Sequence, residues 1–241
     1  MGTHSIKLAL ENVNEIIFQA VNKRLHSIPN HNKLPRLVAV SKFQPVELII
    51  EAYNCGQRYF GENYIQELAE KSNSHKIVEE CPDIKWHFIG RLQSNKVNKL
   101  LKVPNLYMIE TIDSEKLASL VNKAFSPNEV ENDTQADTSL DHNRMKVMVQ
   151  VKTSDEDTKS GVELDSAVSL ARYIHSECPA LELSGLMTIG KLGGWGPGEK
   201  NLDFVKLSSC RENICKELNI EPEFLELSMG MSGDFEEASA I

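Results

Sequence analysis

Apolar positions along the chain alternate between short runs typical of buried strands and longer segments with helical spacing. An opening helix is predicted over residues 8–25, and seven strand-like runs follow, each succeeded by a helical pattern. The predicted strands cover residues 37–40, 58–60, 84–89, 106–109, 145–151, 181–189 and 224–227. The predicted helices after them cover residues 45–53, 63–71, 95–102, 115–125, 163–176, 201–218 and 233–241. This order predicts an α/β fold with parallel strands and right-handed crossovers.

Two architectures fit this order, a (β/α)8 barrel of the TIM type and a doubly wound sheet. A doubly wound sheet would bind its ligand at a topological switch point, yet no GxGxxG motif follows the first strand. Polar side chains capable of chemistry come after nearly every predicted strand, which is where barrels place their active sites. We therefore expect a TIM-type barrel forming a single domain over residues 1–241, with an N-terminal helix within residues 1–27 and a flexible polar insertion at residues 126–144.

Composition narrows the class of protein. The 241 residues carry a formal net charge of −9, which disfavours binding to nucleic acid. No apolar stretch is long enough to span a bilayer, and no His or Cys cluster has the spacing of metal ligands. The five scattered cysteines predict free thiols in a reducing compartment. We expect a cytoplasmic protein. The N-terminus has no clear Arg-rich transit pattern, so the sequence is silent on an additional mitochondrial pool.

Lys42 closes the run RLVAVSK at the end of the first predicted strand. If that strand is buried on both faces, its terminal lysine is partly desolvated, and desolvation favours the neutral amine that attacks carbonyls. This is the chemistry of a Schiff-base lysine. On position alone the simpler interpretation is an ordinary basic residue at a strand end, so the neighbouring motifs decide. Lys152, at the end of the fifth strand, is a second candidate, but the acidic residues 155–157 favour a charged, solvated amine there.

Three further side chains stand at or near the ends of predicted strands. Asn63, in FGENYIQE, can cap the next helix or point its amide into a site. His87 alternates with two aromatic residues along the third strand, so it is either a satisfied core residue or one wall of a site. Met187, in GLMTIG, is most simply a core residue, although such a side chain can also pack against a ring.

The run LSMGMSGDF after the seventh strand predicts an anion site. Its small residues leave backbone N–H groups uncovered at the start of a helix, and barrels commonly bind phosphate at the loops after their last strands. The alternative is a plain Ser-capped helix. The glycine-rich loop at residues 190–200 lacks Walker spacing and is interpreted as a surface loop. A reactive amine and a phosphate pocket at one barrel rim indicate a pyridoxal 5′-phosphate (PLP) site.

Five motifs together resemble those of a known family. RLVAVSK, FGENYIQEL, IKWHFIGRLQSNK, GLMTIG and LSMGMSGDF, in this order and spacing, resemble the pyridoxal phosphate homeostasis proteins, a single-barrel family related to the N-terminal domain of alanine racemase. The resemblance implies that Lys42 holds PLP as a Schiff base. It places four residues at the phosphate: Ser228, Met229, Gly230 and Ser232. It places three residues around the ring: Asn63, His87 and Met187.

The sequence departs from the family pattern in one respect. Family members continue beyond the last predicted helix into an eighth strand with an Arg-x-Gly-Ser/Thr element, whereas this sequence stops at Ile241. We therefore expect the barrel to lack its eighth strand and to expose two strand edges. We also expect weaker PLP binding than in a complete family member.

Three functions are compatible with these residues. The resemblance implies a non-catalytic, monomeric carrier that holds PLP and delivers it through transient contacts with PLP-dependent apo-enzymes. A racemase needs two proton-transfer groups, one on each face of the bound substrate, and in alanine racemase one of them comes from a separate domain. A cofactor-free Schiff-base aldolase would need an acid/base carboxylate at the same rim. Glu110, whose carboxylate is expected to cap and orient, is a weak candidate for that role.

Overall fold

The computed structural model describes residues 4–25, 34–126, 144–154, 160–191 and 201–241, and a parallel sheet forms its centre. The strands are β1 (Ala39–Val40), β2 (Tyr59–Glu62), β3 (Lys85–Phe88), β4 (Leu106–Ile112), β5 (Met145–Lys152), β6 (Val162–Glu163), β7 (Leu181–Met187) and β8 (Glu226–Ser228). Seven of them pair in the order β1-β2-β3-β4-β5-β7-β8, and the short β6 pairs with β5 outside this path. The sheet is an open barrel of the TIM type with β1 and β8 at its edges, which confirms the predicted fold class.

The helices return the chain from the end of one strand to the start of the next, because parallel neighbours require such crossovers. They are α1 (His4–Leu25), α2 (Val46–Asn54), α3 (Ile65–Ser72), α4 (His75–Glu80), α5 (Val97–Leu100), α6 (Glu115–Phe125), α7 (Leu164–Glu177), α8 (Leu202–Leu218) and α9 (Phe235–Ser239). Two short 3-10 turns, Ser94–Lys96 and Pro222–Phe224, precede α5 and β8. In the described ranges, no helix is both long and apolar enough to cross a membrane.

The main core lies between the sheet and its helices. Trp86 and Phe88, which alternate with His87 along β3, are fully buried in this layer. The buried stripes of the helices belong to the same core cluster and are apolar as well, as shown by Leu117 in α6 and Ile174 in α7. Burial of such side chains is the main favourable contribution to folding, at roughly 1.5–3 kcal/mol each.

A polar layer closes the barrel at the amino ends of the strands, and we call it the floor. Its members are Arg36, Tyr59, Lys85, Tyr107, Lys146, Glu182 and Glu226. The Arg36 guanidinium forms two parallel hydrogen bonds with the Glu226 carboxylate, at 2.6 and 2.7 Å, and lies 4.7 Å from the centre of the Tyr59 ring. Since Arg36 precedes β1 and Glu226 begins β8, this pair holds the two edge strands together at the floor.

The expectation that the first strand is buried on both faces is wrong. Regular pairing covers only Ala39–Val40, and the Val40 side chain is 49% exposed. The reason is topological: β1 is an edge strand that is paired along one edge only, so solvent reaches it from its unpaired edge. Most of the predicted insertion at residues 126–144 lies outside the described residues, namely residues 127–143. The acidic residues 155–157 and residues 192–200 of the glycine-rich loop also lie outside them.

Candidate functional site

Lys42 lies in the turn that follows β1, at the end of the barrel where the strands have their carboxyl ends; we call this end the mouth. The buried Ser41 follows the strand, and its N–H donates to the Gly61 carbonyl of β2 at 2.9 Å. Lys42 itself is exposed. The predicted partial desolvation of Lys42 is therefore wrong, because the edge position of β1 leaves the turn open to solvent.

A buried network supports this turn from α3. The Lys71 ammonium donates to the Ser41 carbonyl at 2.6 Å, to Glu62 at 2.7 Å and to Glu67 at 2.6 Å. The Ser41 hydroxyl also donates to Glu62, at 2.7 Å. Burial raises the pKa of the Glu62 carboxyl, against the hydrogen bonds from Lys71 and Ser41.

The sequence pattern does not predict this network. Its one local signal is the spacing of Glu67 and Lys71, four residues apart with the acid first, which favours an ion pair on a helix. Nothing in the sequence pattern shows that the pair turns inwards to Ser41. Burial opposes the charge on Glu67, but the hydrogen bonds from Lys71 and from the Phe43 N–H hold the pKa of this carboxyl below its ordinary value.

His87 and Ser228 come together through a third side chain inside the barrel. His87 Nδ1 hydrogen-bonds to Glu110, and the Ser228 hydroxyl donates to the other oxygen of the same carboxylate at 2.5 Å. His87 and Glu110 are each 1% exposed. The structure extends β4 to Ile112, so Glu110 is a strand residue that orients two neighbours and caps no helix.

His87 and Asn63 each contain a buried polar atom that lacks a partner in the described residues. These atoms are His87 Nε2 and Asn63 Oδ1. Asn63 does not cap the next helix, because Tyr64 is the N-cap of α3. The backbone carbonyl of Asn63 packs against Gly90, where an added Cβ would stand 1.9 Å from the carbonyl oxygen. Only glycine fits this approach, which fixes the end of β2 against the end of β3.

Met187 lies at the carboxyl end of β7, beside Ser228 in the register of β7 with β8. It is 5% exposed and packs with Met108 and Met148 in a small apolar cluster. This cluster is separate from the main core, so Met187 is an interior barrel residue. Its flexible thioether gives the interior an adaptable apolar surface.

The turn after β8 differs from the predicted helix start. The helix begins at Phe235 instead of Gly233, and the Met231 N–H donates to the Asp234 carboxylate at 2.5 Å. Gly230 has a φ of +89°, and an added Cβ there would stand 2.8 Å from the Ala238 Cβ. The turn therefore requires glycine at residue 230. One donor of the predicted anion site is occupied by this carboxylate.

Lys152, the second Schiff-base candidate, is half-buried and pairs with Glu163 at 3.4 Å. It belongs to β5, which is separated from β1 by three strands in the sheet order. The structure therefore places Lys152 apart from the Lys42 turn. This arrangement makes Lys152 a useful comparison for Lys42.

The open parallel barrel, with a lysine after β1 at its mouth, corresponds to a known class of protein. A family model described as the N-terminal domain of alanine racemase matches residues 16–240. The pyridoxal phosphate homeostasis protein of Homo sapiens is 49% identical, over 97% of this chain and 80% of the human protein. That of Caenorhabditis elegans is 38% identical, over 99% of this chain and 91% of the worm protein. The chain belongs to the family of pyridoxal phosphate homeostasis proteins.

Solved structures show the same fold. A protein of unknown function from Bifidobacterium adolescentis is 28% identical with a TM-score of 0.79, covering 99% of this chain and 90% of its own. PipY from Synechococcus elongatus, solved with PLP bound, is 29% identical with a TM-score of 0.68, covering 91% of this chain and 93% of its own. Alanine racemase from Clostridium difficile, 11% identical with a TM-score of 0.58 over 91% of this chain and 51% of its own, shares the fold alone.

Proposed function

We propose that this protein binds PLP at the mouth of the barrel, through a Schiff base with Lys42, and acts in the cellular handling of this cofactor. The observation that carries the proposal is the position of Lys42 in the turn after β1, at the same end of the barrel as Asn63 and Ser228. The names of the relatives and the PLP-bound PipY structure support it.

The interior residues fit a flat ring with polar edges. A buried polar atom without a partner costs roughly 1–3 kcal/mol, so His87 Nε2 and Asn63 Oδ1 favour a ligand that can complete their hydrogen bonding. Met187, in its cluster with Met108 and Met148, adds an apolar surface to the barrel interior. PLP would supply an aldehyde that condenses with an amine; in that condensation a carbon–nitrogen double bond forms and one water molecule leaves.

The phosphate is assigned to the turn after β8, formed by Ser228, Met229, Gly230 and Ser232. The left-handed Gly230 sets the path of this turn, and Ser228 and Ser232 add only small side chains to it. Since Asp234 already accepts the Met231 N–H, the donors left to the phosphate are fewer than the sequence suggests.

The protein is further proposed to be a carrier rather than a catalyst. Glu110, the acid/base candidate of the aldolase hypothesis, is already bonded to His87 and Ser228. This arrangement favours a positioning role for the carboxylate. A monomeric cytoplasmic protein that makes transient contacts with PLP-dependent apo-enzymes completes the proposal.

Reduction with borohydride tests the linkage, because it converts a Schiff base into a stable pyridoxyl adduct that mass spectrometry can map. We expect the adduct on Lys42, together with a visible absorption band. Both should be lost in Lys42→Ala and retained in Lys152→Ala, the matched control at the other strand-end lysine. An adduct that maps elsewhere, or a colourless wild-type protein after incubation with PLP, would refute the proposal.

An amino-acid racemase assay separates a carrier from an enzyme. Wild-type protein loaded with PLP should racemise alanine no faster than the Lys42→Ala variant does under the same conditions. A rate that depends on Lys42 would show that the carrier assignment is wrong while leaving PLP binding intact.

A further inference from the structure

The two residues that flank Lys42 are both held by one pair of side chains on α3. The Lys71 ammonium donates to the carbonyl of Ser41, the residue before Lys42, at 2.6 Å. The Glu67 carboxylate accepts the N–H of Phe43, the residue after Lys42, at 2.6 Å. Lys71 and Glu67 also bond to each other at 2.6 Å. We call this pair the α3 clamp.

The α3 clamp is rigid because all three N–H donors of the Lys71 ammonium form hydrogen bonds. An ammonium group has three N–H donors, and those of Lys71 are directed to Ser41, Glu62 and Glu67. Lys71 is 7% exposed and Glu62 is 0% exposed, so water has little access to the contacts of Lys71 with Ser41 and Glu62, while Glu67 lies closer to the surface. Charge-assisted hydrogen bonds in such surroundings are stronger and more directional than neutral ones.

The conformation of the turn shows why such a clamp is needed. Phe43 has a φ of +62°, a left-handed conformation that residues with a Cβ seldom adopt. Such a conformation persists only where the surrounding contacts determine it. The hydrogen bond from the Phe43 N–H to Glu67 is a contact of this kind, and it lies within the turn that presents Lys42.

A stability role alone does not account for this arrangement. Buried ion clusters contribute little net stability, since removing the charges from water offsets their attraction. Their geometric effect is distinct: the clamp fixes the backbone on either side of Lys42 while leaving the Lys42 side chain exposed. The backbone is then preorganised and only the side chain has to find the aldehyde.

We propose that Lys71 is a positioning residue for Lys42, acting through the Ser41 carbonyl and through Glu67. The proposal rests on the proposed function, in which the Lys42 amine condenses with the aldehyde of PLP. Lys71 itself need not touch the cofactor. Its effect is on how readily Lys42 reaches the aldehyde and on how ordered the turn is without any ligand.

Lys71→Met tests the proposal by removing the ammonium group while keeping most of the side-chain length. In the protein without PLP, we expect amide hydrogen exchange in residues 41–44 to rise at least tenfold. With limiting PLP, the initial rate of borohydride-trapped adduct formation at Lys42 should fall at least tenfold. Leu170→Ala, a core change in α7 that is remote from the turn, is the control for lost stability and should change neither quantity.

Two further variants keep the test decisive. Glu67→Ala is the milder change, to be used if Lys71→Met does not fold, and should raise exchange of the Phe43 amide in the same way. Glu62→Gln combined with Lys71→Met removes the uncompensated buried charge, so it should recover thermal stability without recovering the trapping rate. Recovery of both quantities would mean that the clamp acts through stability alone, which overturns the proposal.

The two proposals fail in different ways. Wild-type protein without an adduct on Lys42 refutes the proposed function and, with it, the positioning role. A wild-type adduct on Lys42 together with trapping and exchange rates in Lys71→Met that match those of Leu170→Ala refutes the positioning role only.

Discussion

At the scale of single residues, the backbone of Phe43 is the clearest departure from what an aromatic residue prefers. Its φ of +62° lies in the left-handed region, which costs a residue with a Cβ roughly 1–2 kcal/mol. The ring recovers little of this by burial, because it is 73% exposed and contacts Tyr64 at 5.3 Å between ring centres. The hydrogen bond to Glu67 offsets part of the cost.

Replacement of Phe43 by glycine should therefore stabilise the protein or leave its stability unchanged. Relief of the left-handed strain gains about 1 kcal/mol, and the extra flexibility of glycine in the unfolded chain removes part of that gain. The net expected change in the free energy of unfolding, measured by urea denaturation, lies between 0 and about +1 kcal/mol.

Asn219→Gly is the matched control, since Asn219 has a φ of +53° at the end of α8. Asparagine tolerates this region better than other residues with a Cβ, so the control should gain less than Phe43→Gly. A loss of more than about 1 kcal/mol in Phe43→Gly would mean that the exposed ring stabilises the turn by its contacts.

Among the helices and strands, those defined by local sequence signals were predicted well, and those that depend on tertiary contacts were not. The predicted helix at residues 115–125 is confirmed at both ends, because its N-cap Ser114 accepts the Leu117 N–H and an apolar stripe defines the rest. The helix α4 and the strand β6 were missed. Six and two residues long, they are too short to show a period, and tertiary contacts determine them.

In the candidate site, too, single residues were predicted from local motifs, but the contacts between them were not. The motifs pointed to His87 and Ser228 as separate residues, but the bridge between them depends on Glu110 in a strand that the pattern ended too early. The contact of Lys71 with Ser41 spans 30 positions of sequence, so no local pattern reveals it. The exposure of Lys42 was also missed, because it depends on the edge position of β1 and not on the apolar run before it.

The Arg36–Glu226 pair is predicted to couple the edge elements β1 and β8. The two terminal nitrogens of the Arg36 guanidinium donate to the two oxygens of the Glu226 carboxylate, at 2.6 and 2.7 Å, and both side chains are half-buried. A double-mutant cycle with Arg36→Met and Glu226→Gln, followed by urea denaturation, should give a coupling free energy of about 1–3 kcal/mol.

The more exposed Arg58–Asp83 pair, at 3.0 Å, is the control cycle. Exposed pairs contribute little, so its coupling should stay below about 1 kcal/mol. Equal coupling in the two cycles would show that the floor pair does not join the edges of the barrel more strongly than an ordinary surface contact does.

For the molecule as a whole, the free thiols make the stability of the fold depend on pH in the alkaline range. All five cysteines are free, and four of them are buried. Burial raises the pKa of the Cys210 thiol in α8 to about 11. Folding therefore favours the neutral thiol, and this contribution to stability is lost as the pH rises from the unfolded pKa towards the folded one.

The stability advantage of Cys210 over alanine should accordingly shrink between pH 8 and pH 10. We expect the free energies of unfolding of wild type and Cys210→Ala to be closer at pH 10 than at pH 8 by about 1 kcal/mol. Urea denaturation at each pH measures both values. Cys55→Ala, at the exposed thiol, is measured alongside as the comparison variant. A constant difference for Cys210 across this range would contradict the prediction.

The exposure of Lys42 also bears on how long a cargo stays attached. An imine bond is broken by water, and an amine at the protein surface is continually supplied with it. Under the proposed function, a deeply enclosed lysine would hold its aldehyde for long, whereas the exposed Lys42 would give it up to water at the opening where it was loaded. This exposure would favour release of the cargo over long retention, as delivery of a cofactor requires.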